Sequence, residues 1–256
     1  MILEDREVYR VNYGVELETA CLAYGETDLA ICLPVGIWQP ALKKALLAHI
    51  VELRTRLQSY IALDPVFAAS HTPYPPAANA PALARAMARA AALAGVGPMA
   101  AVAGAFAQAA GEFLLGFCPE VIVENGGDIY LATGKERLVG IYAGPDNPYT
   151  GQLALKISAA AQPLGICTSS GTVGSSFSYG RADAAVILAP DPLLADAAAT
   201  ALGNRVKKEE DVREAVEFAS SIPGVKGALA ICGKALAAWG SVELTPLGSE
   251  ELGVRS

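Results

Sequence analysis

The sequence predicts an α+β fold in which helices pack on one face of a largely antiparallel sheet. Segments with strand and helix patterns follow one another as strand pair, helix pair, strand pair, and this order occurs twice along the 256 residues. The hydrophobic fraction of 53% is inflated by alanine, which is typical of helices packed closely on a sheet. We therefore expect a single domain over residues 1–256, built from two pseudo-repeats, 1–150 and 151–256.

The first pseudo-repeat begins with alternating and β-branched residues that predict a hairpin, and it continues with apolar residues at helical spacing. Pro40 fits the first turn of the first helix. Prolines after that helix predict a loop, and the glycines of "GVGP" predict a break between the next two helices. The predicted elements are a hairpin at 8–33, a helix at 39–63, a loop at 64–81, helices from 82 to 115 broken near 95–98, and strands at 120–124, 128–132 and 137–143.

The second pseudo-repeat has the same order. Asp191 can cap a helix whose first residue is Pro192, and Gly203 can end it. A Ser/Gly-rich segment, "TSSGTVGSSFSYG", separates the first two strands of this half. The predicted elements are strands at 152–158 and 182–189, helices at 192–202 and 208–221, and strands at 226–232 and 238–247.

Composition excludes two classes of partner. The formal net charge is −7 and no run of Lys or Arg is present, so we expect no nucleic-acid partner. The most apolar segment, 97–117, is interrupted by Gln108 and Glu112, which favours a buried helix over a membrane span. The five scattered cysteines are typical of reduced core thiols, and the charged N-terminus lacks a signal-peptide pattern. These features predict a cytoplasmic protein.

The segment "ENGGDI" (124–129) places two glycines between two strand-like runs. Gly126 and Gly127 allow positive φ and the close approach of another group to the backbone. Asp128 offers a hard anionic ligand or a base. The alternative is a simple hairpin or bulge with Asp128 in an Asx-turn.

The segment "DPLLADAAATALGN" (191–204) places Asp196 and Thr200 four residues apart on one face of the predicted helix. Only alanines lie between them, which keeps that face open. A carboxylate and a hydroxyl are oxygen ligands of the kind that Mg²⁺ or Ca²⁺ takes. The alternative is a helix whose Asp and Thr merely face solvent.

Two further segments could hold phosphate through backbone N–H and hydroxyl groups. Ser169, Ser170 and Gly171 belong to the Ser/Gly-rich segment, which is otherwise interpreted as a mobile linker. Gly97 and Gly104 lie in "GVGPMAAVAG", where a helix N-terminus could accept a phosphate, although tight helix packing explains these small residues equally well.

Taken in order, "GGDI" (126–129), "TSSG" (168–171) and "ADAAATAL" (195–202) resemble the ApbE family, the FAD:protein FMN transferases. The resemblance covers roughly residues 95–245. It is strongest to a shorter ApbE-like family of bacteria and archaea, whose members have "VGPMAAVAG" and "ENGGDIY" much as written here. The fold it implies is an ApbE-like, T-fold-like architecture.

The resemblance also implies a site. A Mg²⁺ would be held by the side chains of Asp196 and Thr200 and by the backbone carbonyl of Asn125. The family uses such a metal in moving FMN from FAD to a threonine of an acceptor protein, with release of AMP. Asp128 and Asp196 are then the candidate catalytic residues, and the glycines and serines named above are the candidate cofactor-binding residues.

The sequence departs from the family pattern in two places. The transferases carry a lysine beside the helix glycine, where this chain has Ala103, and the family's H-x-x-D-P-x-T-G segment is missing from residues 172–190. Four functions therefore stay open. They are an FMN transferase, a non-catalytic flavin or nucleotide carrier or accessory factor of the kind linked to anaerobic sulfur metabolism, an enzyme acting on another small phosphorylated or carboxylated metabolite, and a structural protein with a vestigial pocket. A homo-oligomer is also compatible with the alanine-rich helices.

Overall fold

The structure is a computed structural model that describes residues 16–159, 163–172 and 178–247, so the predicted strand residues 8–15 lie outside the described part. Prolines begin three of its helices, as expected for the first helical position. The helices are α1 (Pro40–Leu63), α2 (Pro65–Ala69), α3 (Ala82–Ala94), α4 (Val102–Leu115), α5 (Pro192–Gly203) and α6 (Val212–Ser220), with 3-10 turns at Pro98–Ala101 and Glu209–Asp211.

Eight strands form the main sheet, in the spatial order β1-β2-β3-β4-β7-β8-β9-β10, and every neighbouring pair is antiparallel. Each half of this sheet is made by a strand pair, helices and a second strand pair, which confirms the predicted α+β fold and its repeated order. The strands are β1 (Leu17–Tyr24), β2 (Thr27–Pro34), β3 (Val121–Asn125), β4 (Asp128–Ala132), β7 (Leu164–Ser169), β8 (Ala184–Ala189), β9 (Gly227–Cys232) and β10 (Ala235–Gly240).

Three shorter strands form a second sheet and correct the predicted strand pairing. They are β5 (Arg137–Gly140), β6 (Leu153–Ile157) and β11 (Leu244–Pro246), in the order β11-β6-β5. The prediction placed 152–158 in the second strand pair, but β7 takes that position in the main sheet. The predicted strand at 238–247 is divided between β10 and β11, because Gly240 has a φ of 74° and turns the chain.

The main sheet therefore has a hydrophobic core on each face. The helices cover one face, where alanines of α4 and α5 pack against alternate residues of the central strands, such as Val123 and Ile187. The small sheet covers the other face, where Ile122 and Val186 point towards Leu155. Successive side chains of a strand point to opposite faces of the sheet, so they belong alternately to the core under the helices and to the core under the small sheet.

The apolar segment 97–117 forms a core helix. Within the described residues, Pro98–Leu115 is the one helical segment long and apolar enough to cross a membrane, and half of it is buried inside the protein. Its buried residues include Gly104, Phe106 and Leu114, and the helix contacts β3 and α5. This packing places the first turn of α4 beside the β3–β4 turn and beside α5, where the candidate site lies.

Candidate functional site

The β3–β4 turn consists of the diglycine alone. Asn125 pairs with Asp128 in the ladder, and Gly126 and Gly127 between them have φ values of 66° and 101°. Positive φ at both central residues is the geometry of the tight hairpin turns that strongly prefer glycine. The hairpin interpretation is therefore correct for the glycines. Space is also open at Gly126, because a Cβ atom there would meet nothing within 4 Å.

The start of α4 contacts α5 at Asp196. The amide of Gly104 donates to Oδ2 of Asp196 at 2.8 Å, and the amide of Ala103 also bonds to this carboxylate. These amides belong to the first turn of α4, where backbone N–H groups have no partner within the helix. A Cβ on Gly104 would lie 2.3 Å from the carbonyl oxygen of Pro192, so the two helices can approach this closely only with glycine at that position.

Asn125 joins the turn to the same point of α4. Its side-chain amide donates to the carbonyl oxygen of Ala103 at 3.0 Å. The peptide bond between Ala103 and Gly104 thus joins two elements. Its carbonyl accepts from Asn125 at the end of β3, and its N–H donates to Asp196 on α5. The structure therefore brings together Asn125, Asp128, Gly104 and Asp196, which are distant in sequence.

Asp128 is buried and lacks a full set of partners. Its side chain is 6% exposed, and Oδ1 has no hydrogen-bond partner among the described residues. The thiol of Cys167 and the amide of Thr168 bond to this carboxyl group. Burial and the nearby charge of Asp196 nevertheless raise the pKa of Asp128 well above its ordinary value.

Asp196 is partly exposed, and its pKa is raised to about 7 because burial outweighs the hydrogen bonds from Gly104 and Ala103. The neighbours that shift the pKa of Asp128 are Asp196, Cys167, Glu124 and Thr168; no basic side chain is among them in the described part of the chain. Two carboxyl groups therefore lie close together, and no described basic residue neutralises them.

This arrangement fits a hard divalent cation. The available donors are carboxylate oxygens, the hydroxyl of Thr200 one helical turn after Asp196, and backbone carbonyls of the exposed turn, all of which suit Mg²⁺. Thr200 is partly exposed on α5. A cluster of three or more His, Cys, Asp or Glu side chains does not occur among the described residues, so a site here would depend on hydroxyl, carbonyl and ligand oxygens.

The other predicted binding residues lie at two separate places. Gly97 is buried against residues 70–71, and a Cβ there would lie 1.8 Å from the carbonyl oxygen of Ser70, so close packing accounts for this glycine. Ser169 ends β7 beside Gly203 of α5. Gly171 donates its amide to the carbonyl of Ala182, in the connection between β7 and β8.

Ser170 lies in the same connection. Its hydroxyl contacts the carbonyl oxygen of Ala182 at 3.4 Å and accepts from the amide of Thr172 at 3.1 Å. Ser169, Ser170 and Gly171 are therefore at the end of α5 that carries Gly203, beyond Thr200, rather than beside Asp196.

Two residues of the site were missed in the sequence. Cys167 is fully buried, pairs with Asp128 across the β4–β7 ladder and contacts its carboxyl group. Glu124 accepts a hydrogen bond from the amide of Gly127 at 2.7 Å and so holds the turn. The signal for Glu124 was its place two residues before the diglycine. No signal pointed to Cys167, because the segment 164–169 was not recognised as a strand.

An antiparallel sheet built from two strand–helix–strand units, with this turn facing a helix that carries Asp196 and Thr200, defines an ApbE-like protein. A model of the family described as AbpE bacteria matches residues 14–241. That span is most of the chain, and the chain belongs to this family.

Its relatives include proteins named UPF0280. The UPF0280 protein of Methanocella arvoryzae is 45% identical over 192 residues, which are 75% of this chain and 78% of the relative. The UPF0280 protein of Methanosphaerula palustris is 41% identical over 220 residues, 86% of this chain and 89% of the relative.

Solved structures share the fold at low sequence identity. The flavinyl transferase ApbE of Pseudomonas stutzeri superimposes with a TM-score of 0.53 at 14% identity, covering 88% of this chain and 94% of that one. The ApbE protein of Thermotoga maritima gives a TM-score of 0.52 at 13% identity, covering 87% and 97%. The fold is therefore that of the ApbE flavin transferases.

Proposed function

We propose that this protein binds a flavin nucleotide, or a closely related phosphorylated ligand, through a Mg²⁺ held between α5 and the β3–β4 turn. The observation that carries the proposal is the pair of uncompensated carboxyl groups, Asp128 and Asp196, with an unpartnered buried oxygen on Asp128. A buried charge without a counter-ion is costly, and a bound cation removes that cost.

Asp196 and Thr200 would hold the metal from α5, and the carbonyl of Asn125 would approach it from the turn. The metal would neutralise ligand phosphates and polarise their oxygens. Gly126 and Gly127 leave room for the ligand at the turn, and Gly104 lets α4 approach α5 closely enough to fix Asp196. Asp128 would exchange a proton with an acceptor hydroxyl, a role that suits a carboxyl group whose pKa is raised by burial and by the nearby Asp196.

Metal binding is tested by calorimetric titration of the purified protein with Mg²⁺. We expect a single site that is lost in Asp196→Asn and weakened in Thr200→Val. The matched control is Glu217→Gln, which neutralises an exposed carboxylate on α6. Equal Mg²⁺ affinity in Asp196→Asn and wild type would contradict the proposal.

For this site we propose the transfer of FMN from FAD to a hydroxyl group of an acceptor protein. A cytoplasmic location is part of the same proposal. The test is to incubate the protein with FAD and Mg²⁺, and to measure AMP release and bound flavin. AMP release that disappears in Asp196→Asn supports the transferase.

A carrier without transfer activity is the second candidate, and Ala103 favours it. The transferases that this chain resembles have a lysine beside the helix glycine, whereas Ala103 offers only backbone groups, which bond to Asp196 and Asn125. Flavin that binds in a Mg²⁺-dependent manner without AMP release would favour the carrier. Absence of both binding and release would point to another phosphorylated ligand.

A further inference from the structure

An open cleft lies outside the site described above, between α3 and the proline-rich segment that precedes it. Its volume is about 400 Å³, which falls within the range of small-molecule pockets. Residues 73–76 form one wall, and Arg85, Ala88, Arg89 and Ala92 form the other. These four residues share one face of α3, since they are three or four positions apart.

The proline wall is held in place by a hydrogen-bond network. Tyr60 and Tyr74 both donate their hydroxyls to Asp64, at 2.9 and 3.1 Å, and the hydroxyl of Tyr60 also accepts from the amide of Ala77 at 3.1 Å. Prolines on either side of Tyr74 restrict the backbone further. The wall is therefore preorganised, which lowers the entropic cost of binding a ligand.

The helix wall carries two positive charges that no described residue neutralises. Arg85 and Arg89 are exposed and one helical turn apart, and like charges at that spacing disfavour a helix. Arg85 donates to the carbonyl oxygen of Ala80. Neither arginine forms an ion pair with any described residue, although acidic residues outnumber basic ones, 26 to 19, in the whole chain.

From this juxtaposition we propose that the cleft between residues 73–76 and the Arg85–Arg89 face of α3 binds a small organic anion, a carboxylic or phosphoric acid with a compact apolar body. Guanidinium groups recognise both acids through paired N–H donors. The rings of the prolines and Tyr74 and the methyl groups of Ala88 and Ala92 would contact the apolar body. This site is separate from the proposed metal site and does not depend on it.

The probes are benzoate and phenyl phosphate, titrated by ligand-observed NMR into the purified protein in the presence of EDTA. The two probes separate carboxylic from phosphoric acids, and inorganic phosphate tests for the apolar contact. We expect saturable binding of at least one probe, weakened roughly tenfold or more in Arg85→Gln and in Arg89→Gln, because hydrogen bonds to charged groups are worth at least that factor.

The matched control is Arg56→Gln, which removes an exposed arginine of α1 that pairs with Glu52 and should leave binding unchanged. Asp196→Asn should also leave it unchanged, which distinguishes this cleft from the metal site. The proposal is overturned if neither probe binds saturably, or if both arginine variants bind as wild type does. Binding of inorganic phosphate as tight as that of phenyl phosphate would overturn the assignment to an organic anion.

Discussion

The β3–β4 hairpin has a buried carboxylate at its open end and another at its turn, and the two differ in their hydrogen-bond and ion-pair partners. Glu120, just before β3, accepts hydrogen bonds from Arg137 and from the hydroxyl of Thr133. Asp128, at the start of β4, lies near Asp196 and keeps one oxygen without a partner among the described residues. Both acids are less than a tenth exposed.

The difference separates a structural charge from one that is available to a ligand. Burial alone would lower the pKa of Arg137, but hydrogen bonds to Glu120 and Glu16 outweigh it and raise that pKa above its ordinary value. At the other end, burial raises the pKa of Asp128, and no basic side chain within residues 16–159, 163–172 and 178–247 opposes that rise. Glu120, which links neighbouring strands, has a counter-ion in Arg137, whereas Asp128 at the diglycine turn has none among the described residues.

The largest effect is expected from removing the counter-ion of the paired end. Arg137→Met leaves Glu120 buried and uncompensated, and we expect a loss of about 3–5 kcal/mol in the free energy of unfolding, measured in urea. Arg56→Met is the control, because the Arg56–Glu52 pair is exposed and should contribute less than about 1 kcal/mol. Equal losses in the two variants would show that the Glu120–Arg137 pair is not structural.

The next effect concerns the close approach of α4 and α5. Gly104→Ala forces a Cβ against the carbonyl of Pro192 and should destabilise the protein by about 1–3 kcal/mol while weakening Mg²⁺ binding. Gly134→Ala is the control, since a Cβ at that exposed turn meets nothing within 4 Å. Unchanged melting temperature and unchanged Mg²⁺ affinity in Gly104→Ala would be evidence against the contact that fixes Asp196.

Removing a carboxylate charge near the diglycine turn should raise the free energy of unfolding, whereas the two changes above lower it. Asp196→Asn keeps an acceptor for the Gly104 amide and removes a charge, so we expect the metal-free protein to gain about 1–2 kcal/mol in stability at mildly alkaline pH. One pKa unit corresponds to about 1.4 kcal/mol, and partial exposure reduces the full effect. Glu217→Gln should change stability little. A loss of stability in metal-free Asp196→Asn would contradict the comparison.

The pH dependence of this gain has a definite sign. The pKa of Asp196 rises from an ordinary 3.8 to about 7 on folding, so the folded state binds the proton more tightly than the unfolded state. The stability of wild type relative to Asp196→Asn therefore falls as pH rises from about 4 to about 7, and stays constant above. Urea unfolding of both proteins in EDTA across that range measures the difference.

Much of the fold could be predicted because its signals are local. Pro192 and Asp191 marked the start of α5, and the Asp191 side chain does accept from the amide of Leu193 at 2.8 Å. The second sheet could not be predicted in this way. Its strands are short and pair across the chain, as Leu155 does with Leu244, and alternation within one strand does not say which of two sheets it joins.

The sequence could nominate candidate site residues where residue type and spacing carry chemistry, as at Asp196 and Thr200, and their role stays a prediction. The structure adds what spacing cannot give: the amides of α4 that bond to Asp196, and the thiol of Cys167 beside Asp128. It also accounts for Gly97 by packing against Ser70. These are contacts between distant segments, and they depend on how α4, α5 and the central strands meet.

The smallest effect is expected from Asn125→Ala, which distinguishes the role of the Asn125 side chain from that of its backbone carbonyl. Its amide donates one hydrogen bond, to Ala103, so Asn125→Ala should cost about 1 kcal/mol in stability. Mg²⁺ affinity should stay close to that of wild type, because the proposed ligand is the main-chain carbonyl. Asn79→Ala, at an exposed turn, is the control for stability. Loss of Mg²⁺ binding as complete as in Asp196→Asn would instead make the side chain the ligand, and the turn would then hold the metal through a different oxygen from the one proposed.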